Sequence, residues 1–152
     1  MITKPGWAAP ELWRVCARVC EGAYCAAVAD LPEDEPSAEQ LLRIEVRSDA
    51  AAIVVVVAGE VDLLTVDRLR VAVDAAVVDA AGRPVVVDLT AVTYLGSHGL
   101  AALAEAASVA KGRCEPLRLV VDHARAVIRP LQLSGLDEVL ALYYSVERAL
   151  LH

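Results

Sequence analysis

Phenylalanine is missing from this 152-residue chain, and aromatic residues of all kinds make up only 4% of it. Its 57% hydrophobic content therefore rests on Ala, Val and Leu, and its two tryptophans, Trp7 and Trp13, both fall near the start. Long apolar runs are missing too. The longest, residues 50–59, is about half of what a bilayer-spanning helix requires. The mean hydropathy of +0.50 thus describes a buried core, and no membrane insertion is expected. The opening MITKPGWAAPELWR has charges and prolines where a signal peptide needs a continuous apolar stretch. The expected location is the cytoplasm.

An excess of positive charge is also lacking. The formal net charge is −7, which excludes a basic stripe able to release counterions from a nucleic acid, so no direct nucleic-acid binding is expected. The acidity is uneven. Residues 1–40 carry Lys4, Arg14 and Arg18 against seven acids, whereas residues 41–152 carry eleven bases against fourteen.

Enzyme signatures are equally scarce. There is no phosphate loop of the G-x-x-x-x-G-K-[ST] type, no G-x-G-x-x-G and no H-E-x-x-H. The corner Gly96-Ser97-His98-Gly99 is not a G-x-S-x-G elbow, and a histidine adjacent in sequence is badly placed to activate Ser97. Asp88 ends an apolar run as a receiver phosphoacceptor does. That chemistry needs a companion acidic cluster and a later lysine, and only Glu60, Asp62 and Lys111 are on offer. A carboxylate that caps the following loop is the simpler account of Asp88. Cys16, Cys20, Cys25 and Cys114 match no common zinc or iron–sulfur spacing. They read as free thiols, with Cys16 and Cys20 as small apolar residues. The chain is read as a non-enzyme with neither metal nor cofactor.

What is present is a regular alternation of elements. Residues 10–31 have a helical period, with Trp13, Cys16, Cys20, Tyr24, Ala27 and Leu31 on one face and Glu11, Arg14, Arg18 and Glu21 on the other. LPEDEPSAEQ follows, a linker by composition. Residues 1–40 thus form an amphipathic helix with an acidic, proline-containing tether. The pattern leaves docking on the main domain, homodimerisation through residues 10–31, and partial disorder all open. From residue 41 the alternation Leu42, Ile44, Val46 marks a half-exposed edge strand, and residues 53–58 mark a strand buried on both faces.

A helix with Val66, Leu69, Val73 and Val77 inward follows, ended by Gly82 and Pro84. Then come a strand over residues 85–89, a short polar loop, and a helix from the Ser97 corner to about Lys111, stopped by Gly112. A strand at 117–121 leads through Asp122 as cap into a helix over 123–133, shortened or kinked by Pro130. A short strand at 139–142 and a helix at 145–151 close the chain. The result is an α/β fold over residues 41–152: a mostly parallel sheet of four to five strands with an antiparallel edge hairpin and flanking helices.

Ser97 carries the functional question. At a helix start its hydroxyl is explained by capping alone, worth about 1 kcal/mol. A phosphate there would suit the helix dipole and act on whatever partner packs against the surface. From the residues alone, the cap is the simpler account.

Four landmarks in order shift that balance. Gly59-Glu60-Val61-Asp62, Asp88-Leu89, the segment Thr93-Tyr94-Leu95-Gly96-Ser97-His98-Gly99-Leu100, and Ser134-Gly135-Leu136 together resemble the STAS domains of bacterial anti-sigma factor antagonists, over residues 41 to about 150. The resemblance implies a protein-binding module in transcription regulation. Its partner would be an anti-sigma factor that is also a GHKL-type serine kinase, with a PPM-type phosphatase resetting the switch. It makes Ser97 the aligned phosphoacceptor and implies a partner surface of Gly59, Glu60, Asp62, Gly96, Ser97, His98 and Gly99. The family usually has an aspartate where this chain has Gly96, which keeps a second function in view: a phosphorylation-independent STAS subunit of a lipid or anion transport complex. His98, beside the site, could titrate near neutral pH, though a solvated surface histidine is the simpler account.

Overall fold

The computed structural model describes residues 37–114, 117–123 and 125–152. The helical face at residues 10–31 and the thiols Cys16, Cys20 and Cys25 lie outside the described residues. The stretch read as a linker ends in a single helical turn, α1 (Ala38–Leu41), capped reciprocally by Ser37 and Gln40. That capping box turns the chain into the sheet.

Strand β1 (Leu42–Ser48) pairs antiparallel with β2 (Ile53–Val61) around a turn held by Asp49. The Asp49 carboxylate accepts the backbone N–H of Ala51 (2.7 Å) and Ala52 (2.9 Å). These donors favour the ionised form, with Ala52 the larger influence, and hold Asp49 below the ordinary aspartate pKa.

Helix α2 (Val66–Asp79) then crosses to β3 (Val85–Leu95), α3 (Ser97–Gly112) to β4 (Leu117–Val120), and α4 (Arg125–Ser134) with a 3-10 turn (Leu136–Glu138) to β5 (Ala141–Tyr143). Helix α5 (Val146–Leu151) ends the chain. The sheet order is β1-β2-β3-β4-β5, parallel from β2 onward. This is the mostly parallel, hairpin-edged sheet that the alternation implied.

The two faces of the sheet are covered unequally. Val55, Val57, Val85, Val87, Leu89, Leu117 and Leu119 point into the main core, where Leu69 and Val73 of α2, Leu103 of α3 and Leu131 of α4 meet them. On the other face Val86 and Val120 pack under Ala149 of α5. Arg118, nearly buried there, donates to the Ala149 carbonyl, so a cation meets the last turn of α5, where the helix dipole favours it.

Three boundaries differ from expectation for identifiable reasons. Helix α3 runs through Gly112, and the left-handed residue after it is Cys114 (φ 58). Helix α4 starts at Arg125 and continues past Pro130. The strand expected at 139–142 is displaced to Ala141–Tyr143 because residues 136–138 close a 3-10 turn first.

The largest difference is in β3. The loop expected after residue 89 is a continuation of the strand to Leu95. Val56 to Ala58 of β2 is matched by Asp88 to Ala91 of β3, and Gly59 to Glu60 by Val92 to Tyr94, so β3 carries one extra residue at each shift. These two bulges replace the period of two by burial of every third residue: Leu89, Val92 and Leu95. The alternation that marks a strand is erased, although the pairing continues.

Candidate functional site

The extended ends of β2 and β3 carry the two loops singled out in the sequence and bring them side by side. Gly59 has φ 110, and a Cβ there would collide with the Leu41 carbonyl oxygen, so only glycine fits. The bulge beyond it leaves Glu60 exposed and opposite Tyr94, and Val61 opposite Leu95. The Gly96 N–H donates to the Val61 carbonyl (2.8 Å), and the Leu100 N–H to the Gly96 carbonyl (3.1 Å), which starts α3. Each loop is thereby tied to the other through Val61 and Gly96.

Asp62 is held by its own turn. Its carboxylate Oδ1 accepts the N–H of Leu64 (2.9 Å) and Thr65 (3.1 Å), while the Asp62 N–H donates to Thr65 Oγ1 (3.0 Å). The Thr65 hydroxyl in turn donates to the Glu60 carbonyl (2.8 Å). This is a reciprocal capping arrangement that launches α2, with Thr65 fully buried. The sequence signal was present as an acid three residues before a threonine, ahead of an apolar helix. Asp62 therefore shapes the loop, with Glu60 its outward charge.

The corner itself corrects the simpler account of Ser97. The cap of α3 is Gly96, in extended conformation and without a side-chain cap, and Ser97 is the first helical residue. Among the described residues the Ser97 hydroxyl makes no hydrogen bond. Both Ser97 and His98 are exposed. Gly99 is different. It is buried, and a Cβ would come within 2.6 Å of Leu95 Cδ1 and 2.7 Å of Val61 Cγ1. It lets α3 approach the strands closely. Gly96 has φ −83, and a Cβ there would meet first the tip of the Tyr94 ring at 3.3 Å. A larger residue fits at 96 if that ring shifts.

Three apolar side chains missed in the sequence surround these loops. Leu63 is 65% exposed, Leu64 70% and Tyr94 54%. The two leucines occupy the Asp62–Thr65 turn, outside any helical stripe, which was their only signature. Large apolar side chains clustered on a rim with polar neighbours mark an interaction surface.

Asp88 lies elsewhere. It pairs with Val56, four residues before Glu60 along β2, and its Oδ1 accepts the Thr90 N–H (3.0 Å) and hydroxyl (2.7 Å). The acidic cluster of a receiver is not assembled. Among the described residues the ion pairs are Arg47–Glu45 at 2.9 Å and Arg70–Glu105, the latter joining α2 to α3. Neither touches the loops. No helix among the described residues is long and apolar enough to cross a membrane. The arrangement offers a recognition surface with one free hydroxyl at the start of a 16-residue helix.

Comparison with known proteins gives a consistent result. The family model described as "Mlab, STAS domain" matches residues 44–143. The anti-sigma-F factor antagonist RsfB of Mycobacterium tuberculosis is 34% identical over 114 residues, 75% of this chain and 91% of that protein. The crystal structure of an anti-sigma factor antagonist from Mycobacterium paratuberculosis shares 35% identity, covers 72% of this chain and 91% of its own, and has a TM-score of 0.65. The Bacillus cell fate determinant SpoIIAA, in its phosphorylated form, is alike in fold alone. It has a TM-score of 0.52 at 16% identity, covering 70% of this chain and 96% of its own.

Proposed function

The chain belongs to the STAS-domain family, and on that premise we propose that it is an anti-sigma factor antagonist acting by binding, with no chemistry of its own. The observation that carries this reading is the rim of Leu63, Leu64 and Tyr94 beside the exposed Glu60, Ser97 and His98. The apolar side chains supply anchoring area and the polar ones register. The partner is an anti-sigma factor of the GHKL serine-kinase type, and its release of a sigma factor is the regulatory output. Ser97 is the switch: a phosphate there adds about −2 charges against the partner while the helix N-terminus tolerates it within this protein. A PPM-type phosphatase restores the binding form.

Calorimetric titration of the chain with such an anti-sigma factor tests binding, and Leu64→Asp should weaken it at least tenfold, by roughly 1.4 kcal/mol or more. Equal affinity of the variant would remove the rim from the interface. Intact-mass analysis after incubation with the kinase and ATP should show one added phosphate, absent in Ser97→Ala. Gly96 favours a second reading, the phosphorylation-independent subunit of a lipid or anion transport complex, because position 96 brings no carboxylate to the serine. Capture of a transport component, with no binding to the anti-sigma factor, would support that alternative.

A further inference from the structure

Strand β1 is the margin of the sheet, and among the described residues nothing pairs with its outer edge. Beside it a shallow groove of about 460 Å³ runs between β1 and α2, lined by Ile44, Val46, Asp67, Arg68, Val71 and Ala72. Val46 is 51% exposed and Val71 70%. An uncharged edge of this kind would be an open template for any strand. This one is charged in a pattern that selects. Arg43, Glu45 and Arg47 alternate along one face, and Arg47 Nε donates to Glu45 Oε1 at 2.9 Å.

The geometry points to a second copy of this chain as the occupant, paired antiparallel along β1 about a two-fold axis at Val46. That axis places Glu45 opposite Arg47 of the second copy and Arg47 opposite its Glu45. With the Arg47–Glu45 pair already made within each chain, the four side chains form a square of alternating charge. An axis one residue away, at Glu45, would instead set Glu45 against Glu45 and Arg43 against Arg47, and like charges directly opposite destabilise a strand pair. The apolar face agrees. Val46 meets its own copy, and the two grooves join.

Helix geometry supports pairing along this edge. Strands are spaced about 4.8 Å apart, and α2 packs over β1 and β2, so the two α2 helices lie on the order of 10 Å apart, within contact distance for packed helices. Val71 of each then faces the other across the axis. Because the pairing is antiparallel, the rims around Ser97 point to opposite poles, and both remain free for partners.

Sedimentation velocity of the full chain, from low micromolar to near-millimolar concentration, tests this directly. The wild type should show a monomer–dimer equilibrium. Glu45→Arg should raise the dimer dissociation constant at least about tenfold. The swap Glu45→Arg with Arg47→Glu should restore it, because each arginine again faces a glutamate. Val71→Glu, at an exposed helix position, should also dissociate the dimer. A chain that stays monomeric throughout overturns the proposal. So does a dimer indifferent to Glu45→Arg, or a double swap that fails to recover pairing.

Discussion

From Val85 to Asp88, β3 pairs residue for residue with both β2 and β4, and its side chains alternate between the two faces of the sheet. From Thr90 to Leu95 the same strand has two bulges, keeps only β2 as its neighbour, and buries every third residue. The first half is an aliphatic wall. The second half carries Tyr94, leads into the Gly96 corner, and faces Glu60 across the ladder. Irregular pairing is what re-aims side chains, and the proposed recognition surface adjoins the stretch where the ladder is broken.

The contrast can be broken from either side. The largest effect is expected where the two halves meet: Leu89→Ala removes a side chain that is 1% exposed in the main core and should lower unfolding free energy by about 3–4 kcal/mol in urea denaturation. Next comes Gly59→Ala at the bulge, where both φ and the Leu41 carbonyl oppose a methyl group. A loss of about 3 kcal/mol is expected, and a stable Gly59→Ala chain would mean that the bulge relaxes.

A smaller cost, about 2 kcal/mol, is expected for Thr65→Val, which keeps the shape of a fully buried side chain but leaves the half-buried Asp62 N–H without its acceptor. Amide exchange of Asp62 and Leu64 should quicken in that variant before the rest of the domain. The smallest effect is at the corner. Gly96→Asp should be neutral or stabilising by a few tenths of a kcal/mol, because its φ suits any residue and aspartate is a good cap. Thermal melting checks this, and a loss of more than about 1 kcal/mol would show that the Tyr94 ring does not yield.

Much of this was legible before any coordinates. The edge strand at Leu42, Ile44 and Val46 and the stripe Val66, Leu69, Val73 and Val77 of α2 follow from periods of two and near four. The buried run from Ile53 was equally plain. The Gly59 and Gly96 loops were marked by small and acidic residues at strand ends. Ser97 was singled out rightly as exposed, although its role as a cap went to Gly96. The continuation of β3 past Leu89 was not legible, because two one-residue bulges reset the alternation that identifies strands. Nor was the exposure of Leu63 and Leu64, since two leucines ahead of a helix look like core until the Asp62–Thr65 turn directs them outward.

The sequence by itself determined the alternation of strands and helices, the aliphatic core, the charged edge of β1 and the positions of the two loops. Those depend on period, turn chemistry and charge within a few residues. Only the tertiary structure decided that Gly99 is buried against Val61 and Leu95, that Val61 ties the loops together, and that Tyr94 and the two leucines share a rim with Ser97. Apart from the Gly99–Leu95 contact, these depend on segments about thirty residues or more apart, and local pattern carries no record of such distances.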